Sequence, residues 1–593
     1  MKKLDRFQGR KPHAIPERSR ALKQPDPRPS RRDNFQGLVI CVLIVGSVLL
    51  LYGFRASALT GDSLNYAYSI KTGSGLFHPH HLLFNPIVRL LFAVISSVCR
   101  ACDVVVAAQI HNIFWAVVAI LVIYLIIRHI MASVTWGAAA AIVLLLGKGF
   151  WAYSTQVQVY IPAMGCLAVI TALLILGDRF VRTVPGMLAV SLLFSLSIFY
   201  HQSSLFFAIP LGYFLTAHKY RDEKKVFPII FSLTGLVVLA AYVLTFLSIA
   251  GSKTLNAFIR FCLSYAFLPN PDWATLKNIS LRGVGHLILS QARDVVFLSR
   301  QWYVPGAVTL GMGLGSLGIW HGRQILKRRS DAEIRIFLLL WLLPIYVFLF
   351  WYAPGAYELL IVAIFPLLIL FFVALQDVRL AMKSSTRRVF AGLSVAFILS
   401  LGLLNFRLTV LPAHVSRGPD YDEARLLNMW APQDSTIFSD WYLQQHLRYY
   451  FQRETALEVD IPMFCFYRHL PLPERYSVDA ARAVVISPAY LYPETEISEV
   501  VKLNGFQFPS EWLSFTEWLF QFEYDSRKRL TSCRSFEIVN LGSGYLALSP
   551  ARMNVDGLKG LLEMLDAQIR QWLSDPVPHF FNWYLKNPEL HGK

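Results

Sequence analysis

TGDSLNYAYSIKTGSGLFHPHH, from Thr60 to His81, follows directly on the first long apolar segment of the chain. It gathers one carboxylate (Asp62), three imidazoles (His78, His80, His81) and Pro79 in a protein that spends most of its length on hydrocarbon side chains. Two readings compete for such a stretch. It is either a polar hairpin that takes the chain out of a bilayer and back, or an active-site loop at a membrane surface. The placement of the other unusual polar residues decides between them.

The chain has 593 residues, 55% of them hydrophobic, and a mean hydropathy of +0.45. That is too apolar for a soluble protein, and several windows are long enough to cross hydrocarbon. The formal net charge of +18 does not indicate nucleic-acid binding. The basic residues sit in the N-terminal tail and in short loops between apolar runs, as in cytoplasmic loops of membrane proteins. Residues 1–35 are basic, rich in Pro and almost without apolar content, which predicts a disordered cytoplasmic tail. Seven cysteines in so long a chain do not form a disulfide framework. Cys41 and Cys166 fall inside apolar runs as small hydrophobes, and Cys465 and Cys533 could pair only if their region lies outside the cytoplasm.

Gln36 to Phe54 predicts a first spanning helix, and the basic tail before it puts Asp62 and the histidines on the outer side. Leu82 to Val98 carries Asn85, Pro86 and Arg89. An Arg at that depth is costly in a lipid-exposed span, so the stretch reads as an amphipathic helix on the outer surface. The following runs then alternate across the membrane: Val104–Ile127, Val134–Leu146, Ile161–Leu176, Met187–Tyr200 paired with Leu205–Thr216, Val226–Ala250, Val304–Trp320, Phe337–Tyr352, Leu359–Leu375 and Val389–Val410. About eleven spans result, with the strongest basic clusters on the side of the tail. The expected organisation is an all-α polytopic membrane domain over residues 36–410, with outer loops at 55–103 and 251–303. Residues 411–593 form an outer mixed α/β domain, with helices at Asp422–Trp430, Tyr442–Phe451 and Val555–Leu573, strands at Thr436–Ser439 and Ala483–Ser487, and a hairpin around Phe536–Leu548. Gly542 to Gly544 joins two strand-like runs, so it reads as a turn.

The remaining polar outliers fall at one depth on the outer face: Lys148, the segment Trp151 to Pro162 with Gln158 and Tyr160, the pair His201-Gln202, and Glu358 after Trp351. Each has a bland explanation. Aromatic residues line membrane interfaces, and an acid in the first turn of a helix is favoured by its dipole. Their convergence on one side is how a site built between helix ends would look.

An acid in the first outer loop, a His-Pro ahead of an amphipathic helix, a Trp-x-Tyr segment running on to Val159-Tyr160 and a His-Gln between short spans together resemble the GT-C class of membrane glycosyltransferases. The likeness is to the bacterial relatives of protein O-mannosyltransferases and of the aminoarabinose transferase, and it covers Gln36 to Thr216. It implies an inverting enzyme in a bacterial inner membrane, with a cytoplasmic N-terminus and a periplasmic C-terminal domain. Asp62 would be the general base that takes the proton of an acceptor hydroxyl as it attacks a polyprenyl-phosphate sugar, the acceptor being a protein, lipid or polysaccharide. His78, His80, His81, Lys148, Gln158, Tyr160, His201, Gln202 and Glu358 would contact substrate, some as donors to the leaving phosphate. The chain departs from the pattern at Gln158, where many relatives have Glu; an amide can hydrogen-bond a sugar but cannot act as a base. No zinc-like spacing or cofactor fingerprint is present, and a divalent metal is not indicated. A lipid or glycan flippase and a silent envelope scaffold are the rival readings.

Overall fold

The computed structural model describes residues 31–217, 225–249, 253–263, 332–352, 357–381, 384–431, 436–439, 441–454, 456–458, 484–486, 536–540 and 546–550, with scattered positions between 285 and 324 and at 433. The N-terminal tail before residue 31, most of the 251–303 loop and the Val304–Trp320 segment, Cys465, Cys533, the Gly542–Gly544 turn and the helix expected at Val555–Leu573 lie outside the described residues.

The membrane part is built of α1 (Arg31–Gly53), α2 (Gly61–Thr72), α3 (Phe84–Val98), α4 (Val104–Met131), α5 (Val134–Leu146), α6 (Lys148–Ser154), α7 (Tyr160–Leu176), α8 (Asp178–Val181), α9 (Val184–Tyr200), α10 (Ala208–Ala217), α11 (Val226–Ile249), α12 (Leu255–Cys262), α13 (Ala332–Tyr352), α14 (Ile361–Ala381) and α15 (Ser384–Asn405). Past the polar turn Gln109–Asn112, α4 is apolar on every face and forms the centre, against α1, α5 and α7; Ile120, Ile123 and Ile127 are fully buried there. A helix apolar all round can only be a core or spanning element. The outward faces of α1 and α11 leave Val42, Leu49, Leu236 and Leu244 exposed, as expected of side chains that meet lipid. Arg335 of α13 is buried and paired through its terminal nitrogens with Asp377 of α14 at 2.8 Å and with His321 Nδ1 at 2.7 Å. An unpaired guanidinium there would be very costly, so this pairing fixes α13 against α14.

Five helices are long and apolar enough to cross a membrane, or six if α5 and α6, bent by 66°, count as one span. The expected count of about eleven is therefore not reached among the described residues. α7 and α9 have 17 residues each and sit at the lower limit of a span; α10 has 10. α3 has 15 residues, short for a crossing. Arg89 explains its placement. The guanidinium packs on Gly73, the left-handed residue (φ +82) that ends α2, where a cation meets the negative end of the helix dipole.

After α15 come α16 (Leu411–Val415), α17 (Pro419–Trp430), β1 (Thr436–Ser439), α18 (Trp441–Phe451), β2 (Ala456–Glu458), β3 (Val484–Ile486), β4 (Phe536–Asn540) and β5 (Leu546–Pro550). The strands form one sheet in the order β2-β1-β3-β5-β4. β1 is parallel to both β2 and β3, and β5 runs antiparallel to β3 and β4. Ala424, Leu427, Ile437, Leu443 and Leu447 make a small core between α17, β1 and α18. α18 also packs across α2, so this region touches the outer loop that carries Asp62.

Candidate active site

The loop that delivers Asp62 is held by backbone pairing. Ser57 and Ala58 donate their N–H groups to Ala413 O at 2.7 and 2.9 Å. Gln109 of α4 donates to Ala56 O at 2.9 Å and to Thr155 O at 2.7 Å. Thr60 then caps α2 by accepting the Ser63 N–H at 3.2 Å, which satisfies one of the open donors at the helix start. Trp441 of α18 lies flat on Gly61, close enough that any Cβ there would collide with its ring. These contacts place Asp62 in the first turn of α2.

Gln158 is fully buried and does not reach into open space. Its amide donates to Thr60 Oγ1 at 3.0 Å and to Ser63 Oγ at 3.2 Å, bracing the turn that bears Asp62. Asn112 of α4 holds the segment before it by donating to Gln156 O and Gln158 O, each at 2.8 Å. Gln158 therefore supports the Asp62 turn from behind.

The histidines come together as the sequence leads one to expect. His78 and His81 stack with ring centroids 4.1 Å apart, and His80 lies 5.4 Å from His78. Pro79 O accepts the Tyr242 hydroxyl at 2.6 Å. Gln202 fastens the second segment to the first: its N–H donates to His80 O at 2.9 Å, and its side chain donates to Tyr242 Oη at 3.0 Å. His201 is brought against Tyr160, with centroids 4.7 Å apart. His201 Nδ1 accepts the Ser203 N–H at 3.2 Å, which leaves its proton on Nε2; among the described residues no side chain takes that proton. Tyr66, one turn after Asp62 on α2, abuts His81 at 4.6 Å.

Asp62 is half-buried, and its carboxylate accepts no hydrogen bond among the described residues. Burial pushes its pKa up to about 6, with no charged neighbour contributing. Burial drives His78 down to about 4, and His201 to about 3 with help from His78. His80 and His81 fall below their usual range for the same reason, with repulsion from neighbouring imidazoles second. At neutral pH the carboxylate is ionised and all four rings are neutral. They can donate hydrogen bonds but bring no charge. Tyr66 lies one helical turn, roughly 5.4 Å along the axis, from Asp62.

Two candidates lie on other elements. Lys148 opens α6, six residues before Ser154, roughly 9 Å along the axis from the end that meets the outer loop. Glu358 lies in a short 3-10 turn, Tyr357–Leu360, packed on α13 and α14. Sequence reading missed Gln109, His111 and Asn112, the polar turn inside α4, although polar side chains within an apolar run are a signal of function. It also missed Trp441, which nothing in its local sequence connects to α2. Among the described residues no group of His, Cys, Asp and Glu is arranged to hold a metal ion.

This chain is similar to three solved membrane glycosyltransferases of the GT-C class. ArnT from Cupriavidus metallidurans bound to undecaprenyl phosphate aligns over 87% of this chain and 98% of its own, at 14% identity and a TM-score of 0.47. The Archaeoglobus fulgidus oligosaccharyltransferase in complex with zinc and sulfate aligns over 86% and 73%, at 13% identity and 0.43. The S. cerevisiae protein O-mannosyltransferase Pmt1-Pmt2 complex bound to the sugar donor aligns over 36% and 34%, at 13% identity and 0.30. No family model and no curated protein matches the sequence.

Proposed function

We propose that this protein is an inverting glycosyltransferase that moves a sugar from a polyprenyl-phosphate donor to an acceptor hydroxyl at the outer face of the inner membrane. The observation that carries this reading is the half-buried Asp62 carboxylate, which accepts no hydrogen bond among the described residues, on the helix whose Tyr66 packs against the neutral His81 ring. Asp62 takes the proton from the acceptor oxygen as that oxygen bonds to the anomeric carbon. The bond from that carbon to the phosphate oxygen breaks on the opposite side, and the phosphate leaves with the electron pair. A base with a pKa near 6 is mostly ionised at neutral pH and still basic enough to help. His201 Nε2–H and the histidines of the first loop donate to the departing oxygens, a dipolar stabilisation that costs no reorganisation in a water-poor site. An apolar cavity of about 550 Å³ between α13 and α14, lined by Leu339, Leu343, Tyr346, Leu367 and Leu370, suits the donor's hydrocarbon chain.

In this reading the N-terminus is cytoplasmic and residues 411–593 are periplasmic, where α18 helps shape the acceptor side. The test is transfer from a polyprenyl-phosphate sugar in proteoliposomes, with lipid-linked donor consumption as the readout. Asp62→Asn should reduce transfer by orders of magnitude while the protein is still expressed and folded, its thermal midpoint not lowered. Full activity in that variant would sink the assignment.

A further inference from the structure

The corner between α3 and α4 reads Cys99-Arg-Ala-Cys102. Cys99 ends α3, its N–H returning to Ile95 O at 2.8 Å, and the Cys102 N–H closes a tight turn onto Cys99 O at 3.0 Å. The two sulfur atoms lie 3.0 Å apart. Cys99 is exposed and Cys102 partly so, so a reagent from solution can reach them. Of the other described cysteines, Cys166 is buried inside α7, and Cys41 and Cys262 lie on α1 and α12.

We propose that Cys99 and Cys102 are a dithiol site that closes to an intrachain disulfide on the same side of the membrane as Asp62. The turn holds the two Cα atoms within about 7 Å, the range a disulfide can bridge. Shortening the contact to the bonded distance of roughly 2.05 Å needs a side-chain rotation and no backbone rearrangement. The co-reactant is a small-molecule or protein disulfide. The thiolate of Cys99, the more exposed residue, attacks one sulfur of that disulfide, forming a mixed disulfide and releasing one thiol. The thiolate of Cys102 then attacks Cys99 sulfur and releases the second. Two S–H bonds of this protein become one S–S bond, and the incoming disulfide leaves as two thiols that carry the two hydrogens. Such a bond persists only in an oxidising compartment.

Its place in the fold gives it a consequence. Asp103, the next residue, caps α4 and accepts the Tyr449 hydroxyl of α18 with both carboxylate oxygens at 3.0 Å. α3 runs back from Cys99 to the histidine loop. A cross-linked corner therefore stiffens the junction that joins the imidazoles, α4 and the C-terminal region.

The test uses the full-length protein in native membranes, acid-trapped, alkylated with N-ethylmaleimide and mapped by peptide mass before and after dithiothreitol. The peptide holding both cysteines should be unlabelled and two hydrogens lighter before reduction, and doubly labelled afterwards. Double labelling without reductant overturns the proposal, as does a reducible dimer linked through either residue. In Cys99→Ser, Cys102 should change from unlabelled to fully labelled without reductant; continued protection would mean that burial rather than a bond shields it, and would overturn the proposal.

Discussion

The first turn of α2 and the histidine loop, linked by the contact of Tyr66 with His81, are built on opposite principles. At the α2 end a single carboxylate is left without a hydrogen bond while everything around it is pinned: Thr60 and Ser63 by Gln158, and Gly61 by the Trp441 ring. At the other end four imidazoles are kept neutral chiefly by burial, with repulsion between neighbouring rings second at His80, His81 and His201. The contrast separates the two tasks of the proposed reaction. One end concentrates basicity in one atom pair held in place by its surroundings; the other spreads neutral donors over a surface that tolerates no charge.

The largest effect should come from breaking the carboxylate end. Asp62→Asn keeps the shape and removes the base, and transfer should fall by about 10²–10⁴-fold, the usual contribution of a positioned general base. Stability should move the other way. A carboxyl whose pKa is raised from 3.8 to about 6 stabilises the fold below the lower value and loses that contribution as pH rises through the upper one. At pH 7 Asp62 is an ionised group that the folded state disfavours, so Asp62→Asn should raise the thermal midpoint of purified protein. A lowered midpoint would mean that the carboxylate is structural.

Next in size is Gly61→Ala. The added methyl must displace Trp441, shifting the start of α2, and a misplacement of about 1 Å can cost on the order of 10²-fold in rate. The double variant with Trp441→Ala should recover part of the loss. If the two changes simply add, the ring and the glycine are not coupled.

The pH profile sharpens the same contrast. Activity should be flat above pH 7 and fall about tenfold by pH 5 as Asp62 is protonated through its pKa near 6. The imidazoles give the opposite sign in stability. His78 is lowered from 6.5 to about 4, so the unfolded chain binds a proton that the fold refuses, and stability is lost as pH falls through that window. Unfolding followed against pH should therefore show an acid limb that flattens when His78 is replaced by Asn, whereas Asp62→Asn, which removes an opposing contribution over the same window, should steepen it.

How much of this was legible in the sequence follows from the range of the interactions involved. The strand expected at Thr436 to Ser439 is present over the same residues, because a short apolar run between breakers is a local signal. The meeting of His80 with Gln202 was legible in outline, since topology put both on one side. The orientation of Gln158 was not: whether an amide faces substrate or braces a helix cap depends on Thr60 and Ser63, nearly a hundred residues away. Trp441 on Gly61 is a longer-range contact still. The number of crossings was not legible, because apolar content alone cannot separate a crossing helix from a short one such as α10 with its 10 residues.

The smallest effect tests whether the imidazole end works by dipole or by charge. His201 has its Nδ1 occupied by Ser203 and its proton on Nε2, and burial keeps the ring neutral. A neutral donor to an anionic leaving phosphate contributes about 1.5–3 kcal/mol, so His201→Ala should slow transfer by roughly 10- to 100-fold. Gln carries an amide N–H at nearly the same reach as Nε2, so His201→Gln should recover most of that loss, with the same ratio to the parent at pH 6 and pH 8. An imidazolium would give a different pattern. Charge-assisted bonds are about twice as strong, so the amide would fail to rescue, and the deficit would shrink as pH rose and the parent ring lost its proton. The ratio of the His201→Gln and parent rates across that pH range separates the two cases, and a pH-dependent deficit would show that the second end of the site carries charge after all.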